Sequence, residues 1–178
     1  MRERAIEERG GPHEFLYEAD AREATPGPTP SQTSGPFFAY ALVPRAYGYA
    51  YADMHPARGP ITIEGQVLDG AGEPVRDAMV EAVSPEGYAR SGTGADEEHR
   101  FLMRTAKPKA GAFSVIVTMR GMLNHAVTRL YLPDAQDAVL AQVPEARRHT
   151  LVAKEVAPGR FRFDIHMQGA DETVFFDL

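Results

Sequence analysis

Six histidines, seven tyrosines and a scatter of carboxylates and arginines are the side chains that could bind a metal or move a proton. A metal site needs several such groups brought to one point, most simply at neighbouring positions on one face of a strand or helix. His13, His55, His99, His125, His149 and His166 contain no pair at strand or helix spacing. Asp53 and His55 are two apart, but in the reverse of the usual H-x-D order and within a loop, D-M-H-P-A-R-G-P. Tyr47, Tyr49 and Tyr51 recur at period two, which lines their rings along one side of an extended segment. That arrangement suits packing against a partner better than convergence on an ion. There is no cysteine, so disulfides, thiolate metal sites and cysteine nucleophiles are excluded. No G-x-S-x-G nucleophile elbow occurs, and G-T-G-A-D at positions 92–96 lacks the Lys-Ser/Thr of a phosphate-binding loop. Arg129, in T-R-L-Y, reads by itself as a strand arginine paired with a nearby acid. His125 lies just before it and could face an interface.

These residues need a scaffold, and the composition points to a β-rich one. The 178 residues carry sixteen glycines and fourteen prolines, hence many turns. Net charge is −6 and no basic patch speaks for nucleic acid. No apolar run approaches the roughly 20 residues of a membrane helix, and the mixed-charge start M-R-E-R-A-I-E-E-R lacks a signal-peptide core. With the absence of cysteine, this is compatible with the cytoplasm.

Residues 1–28 read as an extended N-terminal arm, and 29–178 as a single domain. Thr29–Phe38, T-P-S-Q-T-S-G-P-F-F, is an extended segment with a rigid bend at Gly35-Pro36 and two aromatic anchors, Phe37 and Phe38. Strands follow at Ile61–Asp69 and Asp77–Val83, around the turn Asp69–Gly72. Ser84–Asp96 reads as a surface loop. Arg100–Thr105, Phe113–Met119 and Ala126–Leu132 read as strands. One short late helix is expected over Ala135–Gln142, capped by Asp134, with Asp137 in its first turn and Pro144 ending it. Thr150–Val156 and Arg160–Met167 form a last hairpin around Pro158-Gly159, a type II pairing. About seven strands, short turns and one helix make a mainly β chain, a β-sandwich or flattened barrel.

Four stretches occur in an order shared with a known family: T-P-S-Q-T-x-G-P at Thr29–Pro36, the Gly65–Val83 hairpin, R-G-M-L-N-H-A-V-T-R-L-Y at Arg120–Tyr131, and F-R-F-D-I-H-M-Q-G-A-D-E-T-V-F-F-D at Phe161–Asp177. Together they resemble the intradiol ring-cleavage dioxygenases, specifically the alpha chains of the two-chain enzymes. The C-terminal stretch is the most specific, and the resemblance runs from about Thr29 to the end. It implies a prealbumin-like β-sandwich. It also implies a beta subunit as partner, which holds Fe(III) through two tyrosines and two histidines, with protocatechuate and O2 as substrates and 3-carboxy-cis,cis-muconate as product. The family's histidines stand as H-x-H on a strand, and the matching positions here are Ala112 and Ser114. The resemblance therefore implies a metal-free chain with no catalytic residue of its own. Thr33, Gly35, Pro36 and Arg129 are the residues it would lend to the substrate pocket. The chain departs from the family in having no tryptophan after the second strand, where it reads E-A-V-S, and in a short stretch between Gly87 and Phe113. The alternative is a non-catalytic prealbumin-like binding module. The Gly65–Val83 hairpin suits both readings; the Thr29–Pro36 and C-terminal matches favour the subunit.

Overall fold

The structure, a computed structural model, describes residues 32, 33, 35, 42, 59–94 and 97–177. The arm expected over 1–28, Pro36, the Phe37/Phe38 anchors, Tyr47, Tyr49, Tyr51 and the Asp53/His55 pair lie outside the described residues. Everything below concerns the unit Thr33–Leu178.

The first expected strand forms in two pieces, β1 (Ile61–Gly65) and β2 (Val67–Leu68). Ile61, Ile63 and Val67 are buried on one face, as their alternation requires. The opposite face is not simply wet, because Glu64 is also buried. The break falls at Gln66, whose N–H turns to Asp164 Oδ1 at 3.0 Å. Asp69 closes the next turn, its Oδ1 accepting from the N–H groups of Ala71 and Glu73 at 2.8 and 2.9 Å. The return strand is β3 (Ala78–Ser84).

The stretch Ser84–Asp96 corrects the loop expectation. Gly87–Gly92 is a strand, β4, paired antiparallel with β3 from Met79↔Gly92 to Ser84↔Gly87. G-Y-A-R-S-G has little β-propensity of its own, and the ladder to β3 supplies what the sequence lacks. Next come β5 (Phe101–Thr105), β6 (Ala112–Met119) and β7 (Ala126–Tyr131). Then the expected helix starts three residues late, as α1 (Ala138–Gln142), and Asp137 rather than Asp134 is its cap. A second short helix, α2 (Glu145–Arg148), and a 3-10 turn (His149–Leu151) follow Pro144. Proline at that point cannot continue α1, having no N–H, and stands as the N-cap of α2 at φ −50°, ψ 132°. The chain closes with β8 (Lys154–Ala157), β9 (Arg160–Arg162) and β10 (Ile165–His166). Gly159, at φ 71°, takes the left-handed position that the type II turn between β8 and β9 needs.

Two four-stranded sheets result, ordered β5-β1-β9-β8 and β4-β3-β6-β7, with β2-β10 as a short pair. Their facing sides build one core from Ile63, Val67, Phe101 and Phe163 on one sheet side and Val80, Phe113, Val115 and Leu130 on the other. That is the layered β-sandwich expected. A smaller cluster, Tyr131, Val143 and Leu151, sits where the helices meet β7.

The parallel pairings tie early chain to late chain. β1 runs beside β9 and β2 beside β10, and Phe163, Ile165 and Met167 each donate at 2.8 Å to Glu64, Gln66 and Leu68. A Cβ on Gly65 would stand 1.8 Å from the Phe163 carbonyl oxygen. Glu64 receives the Arg160 guanidinium, Nε at 3.0 Å and Nη2 as well. We predict that Gly65→Ala forces these strands apart and costs about 1–3 kcal/mol of stability. Denaturant unfolding checks this, and an unshifted midpoint would show that the approach is not tight.

Candidate substrate-facing site

Strand β7 alternates between the core and the outer face of its sheet. Thr128 and Leu130 point inward; Val127, Arg129 and Tyr131 point outward. Arg129 stands opposite Ser114, and Tyr131 opposite Ala112, across the β6–β7 ladder. Ala112 and Ser114, the positions that the family resemblance matches to H-x-H, are thus the direct neighbours of Tyr131 and Arg129. They offer a hydroxyl and a methyl, so no imidazole is available there. Among the described residues no group of three His, Cys, Asp or Glu side chains is disposed to hold a metal ion. The histidine half of the ligand set that the resemblance implies therefore does not fit at these two positions.

Arg129 does not stand alone. Its Nη1 donates to Asp137 Oδ2 at 3.3 Å, in an ion pair about one-third exposed on the arginine side and one-fifth on the acid side. Asp137 Oδ1 accepts from the Tyr131 hydroxyl at 3.3 Å and from the Val139 N–H at 2.7 Å. One carboxylate thus caps α1 and anchors two of the outward side chains of β7, Arg129 and Tyr131. Sequence reasoning took Asp137 for an ordinary first-turn acid. The available signal was parity: Arg129 and Tyr131 share a face, and a cap just beyond the strand end falls within their reach.

Burial pushes the Tyr131 phenol above its ordinary 10.0; the neighbouring Arg129 works against the rise and Asp137 adds to it. The folded chain therefore holds this proton harder than the unfolded chain does.

Thr33 lies elsewhere. Its Oγ1 accepts from the Gly121 N–H at 2.7 Å, at the turn joining β6 to β7. Gly35 is exposed. From Ser114, opposite Arg129, to Met119 at the end of β6 is five strand steps, roughly 17 Å. Thr33 and Arg129 therefore mark two ends of a strip rather than one pocket of this chain, and Pro36 lies outside the described residues. His125 is exposed in the turn before β7 and not on the strand. A separate cleft of about 470 Å³, lined by His149, Lys154, Arg162, Asp164, His166 and Asp171 among others, lies along β8–β10. Neither Arg129 nor Thr33 lines it, and its Arg162 is bound to Asp164 at 2.9 Å.

The C-terminal tail secures the edge of β7. Phe176 donates to Val127 at 2.8 Å, and the Thr128 hydroxyl donates to Val174 at 2.6 Å. Phe175 bridges to Thr128. The most specific of the family motifs is thus the piece that holds β7 in place.

An open β-sandwich that shows an Arg–Tyr–Asp cluster on one sheet, with no described metal ligands, is the type of chain at hand. No family model matches it. Among curated proteins it is 44% identical over 191 residues to the protocatechuate 3,4-dioxygenase alpha chain of Burkholderia cepacia, covering 84% of this chain and 97% of that one. It is 31% identical over 195 residues to the alpha chain of the same name from Pseudomonas putida, covering 84% and 96%. Solved structures similar to it include the dioxygenase domain of a carbohydrate-binding fusion from Streptomyces sp. SirexAA-E, at 18% identity and TM-score 0.44 over 81% of this chain and all of that one. Another is hydroxyquinol 1,2-dioxygenase from Pseudomonas putida DLL-E4, at 16% identity and TM-score 0.45 over 85% and 70%. The class is that of the ring-cleaving dioxygenase chains. Within it, the chain belongs to the protocatechuate 3,4-dioxygenase alpha-chain family.

One prediction concerns the phenol. The stability that the Tyr131 proton supplies is complete below pH 10.0 and is lost as pH climbs through the raised value. We predict that above pH 10 the unfolding midpoint of the parent falls more steeply than that of Tyr131→Phe. Parallel curves would show that the phenol titrates alike in both states.

Proposed function

We propose that this chain is the metal-free subunit of a protocatechuate 3,4-dioxygenase hetero-oligomer. Its partner is a beta subunit that carries the Fe(III) and opens protocatechuate with O2 to 3-carboxy-cis,cis-muconate. The relatives are named as alpha chains, a designation that implies a second kind of chain. The observation that supports the reading is the pairing of β6 with β7: Arg129 and Tyr131 stand against Ser114 and Ala112, the two positions that the family resemblance matches to H-x-H. This chain alone is inactive in this account, and the complex works in the cytoplasm, with which a cysteine-free chain is compatible.

When bound by the partner, the ferric ion supplies the binding and activation of the catechol. The work left to this chain is shaping and charge. The resemblance assigns Gly35 and Pro36 to the pocket, and Thr33 is held to the β6–β7 turn through Gly121. Arg129 offers guanidinium N–H groups beyond the one given to Asp137, and a substrate carboxylate is a natural acceptor for them. The roughly 17 Å of β6 between Ser114, opposite Arg129, and Met119, next to the turn that holds Thr33, is a reason to expect the pocket to be finished by the partner rather than by this chain.

Arg129→Ala, made in the complex with the beta subunit, tests this. A charge-assisted hydrogen bond from a partly exposed guanidinium is worth about 1.5 kcal/mol, near the low end of its range. The KM for protocatechuate should rise about ten-fold, with the assembly intact and the KM for uncarboxylated catechol unchanged. Equal kcat/KM values for the variant and the parent would remove Arg129 from the site.

A further inference from the structure

We infer that Asp137 is the positioning residue for Arg129, and so a determinant of how carboxylated catechols are held. The inference rests on the proposed role of Arg129 and adds the group that aims it.

Arginine has a long side chain, and an outward-facing one on a strand samples many rotamers unless something restrains it. Here the restraint is Asp137, at 3.3 Å from Nη1. The acid is itself held from two sides. Its Oδ1 takes the Val139 N–H at 2.7 Å, and the Leu140 N–H at 3.4 Å, so it cannot swing without uncapping α1. The Tyr131 hydroxyl, from a fully buried residue, reaches the same oxygen. That leaves Oδ2 for the guanidinium, in one orientation. The arginine therefore receives a fixed anchor from a helix that packs on the same sheet face. A mobile surface acid would not do this, because an exposed pair held on neither side contributes little. Asp137 touches no substrate in this account and acts only through Arg129.

The charge and the cap separate cleanly. Asparagine caps helices about as well as aspartate, and its amide oxygen can still accept from Val139 and Tyr131. The amide nitrogen cannot accept from a guanidinium. Asp137→Asn therefore keeps α1 and frees Arg129.

The test is a cycle in the complex with the beta subunit: parent, Arg129→Ala, Asp137→Asn and the double variant, each with protocatechuate and with catechol. Asp137→Asn should raise the KM for protocatechuate roughly three- to five-fold, the size expected from a single ion pair. It should leave kcat and the KM for catechol unchanged, and it should have no further effect once Arg129 is alanine. An unchanged or lowered KM in the single variant would overturn the inference. So would the same fold-change in the Arg129→Ala background, since that would show an effect through the helix alone. The Arg129→Ala arm keeps the two ideas apart. If it is silent, the reading of Arg129 itself fails; if it responds while Asp137→Asn does not, only the positioning role fails.

Discussion

The fold depends on a meeting of distant segments. β1 and β2, near the start of the described domain, pair in parallel with β9 and β10, near its end, and neither partner can complete its sheet alone. Parallel neighbours require the whole intervening chain to cross over, and that is costly in loop entropy until the pairing is made. Several features favour the pairing once it forms. Gly65 lets the strands touch, Asp164 takes the one N–H that leaves the ladder, and Glu64 is buried under Arg160. A buried carboxylate without its arginine would be strongly destabilising, so the ion pair serves register as much as strength.

The same closure places the site. Once β10 is docked, the chain that follows turns back to β7. Thr173 donates to His166 at 2.9 Å, and Phe176 then reaches Val127. The edge of β7 is covered, and its outward residues are held against α1 rather than left on a free edge. Arg129 is thereby fixed by two independent constraints, the ladder to Ser114 behind it and Asp137 beside it. The site is a product of the sandwich rather than of a local motif.

What was legible in the sequence divides along the same line. Strands with strong alternation, such as Phe113–Met119, and turns with chemical signatures, such as Asp69–Gly72 and Pro158-Gly159, announce themselves because their causes are local. β4 does not, since G-Y-A-R-S-G becomes a strand only through β3. The helix start was misplaced for a similar reason. Asp134 and Asp137 are equal candidates locally, and what selects Asp137 is a pair of side chains from β7. Family motifs point to Arg129. They could not show its partner, which lies eight residues on and meets it only through the fold. The mixed fate of Thr33 and Arg129, at two ends of β6, is likewise a matter of register that no motif encodes.

The proposed division of labour is that this chain holds no iron and its partner does. The most direct measurement is the iron content and visible absorption of the chain purified alone and purified after co-expression with its beta chain. The account predicts iron and a tyrosinate-to-iron band only in the co-expressed material. Stoichiometric iron in the chain alone would contradict it, and would send the search for ligands to Tyr47, Tyr49, Tyr51 and the histidines outside the described residues.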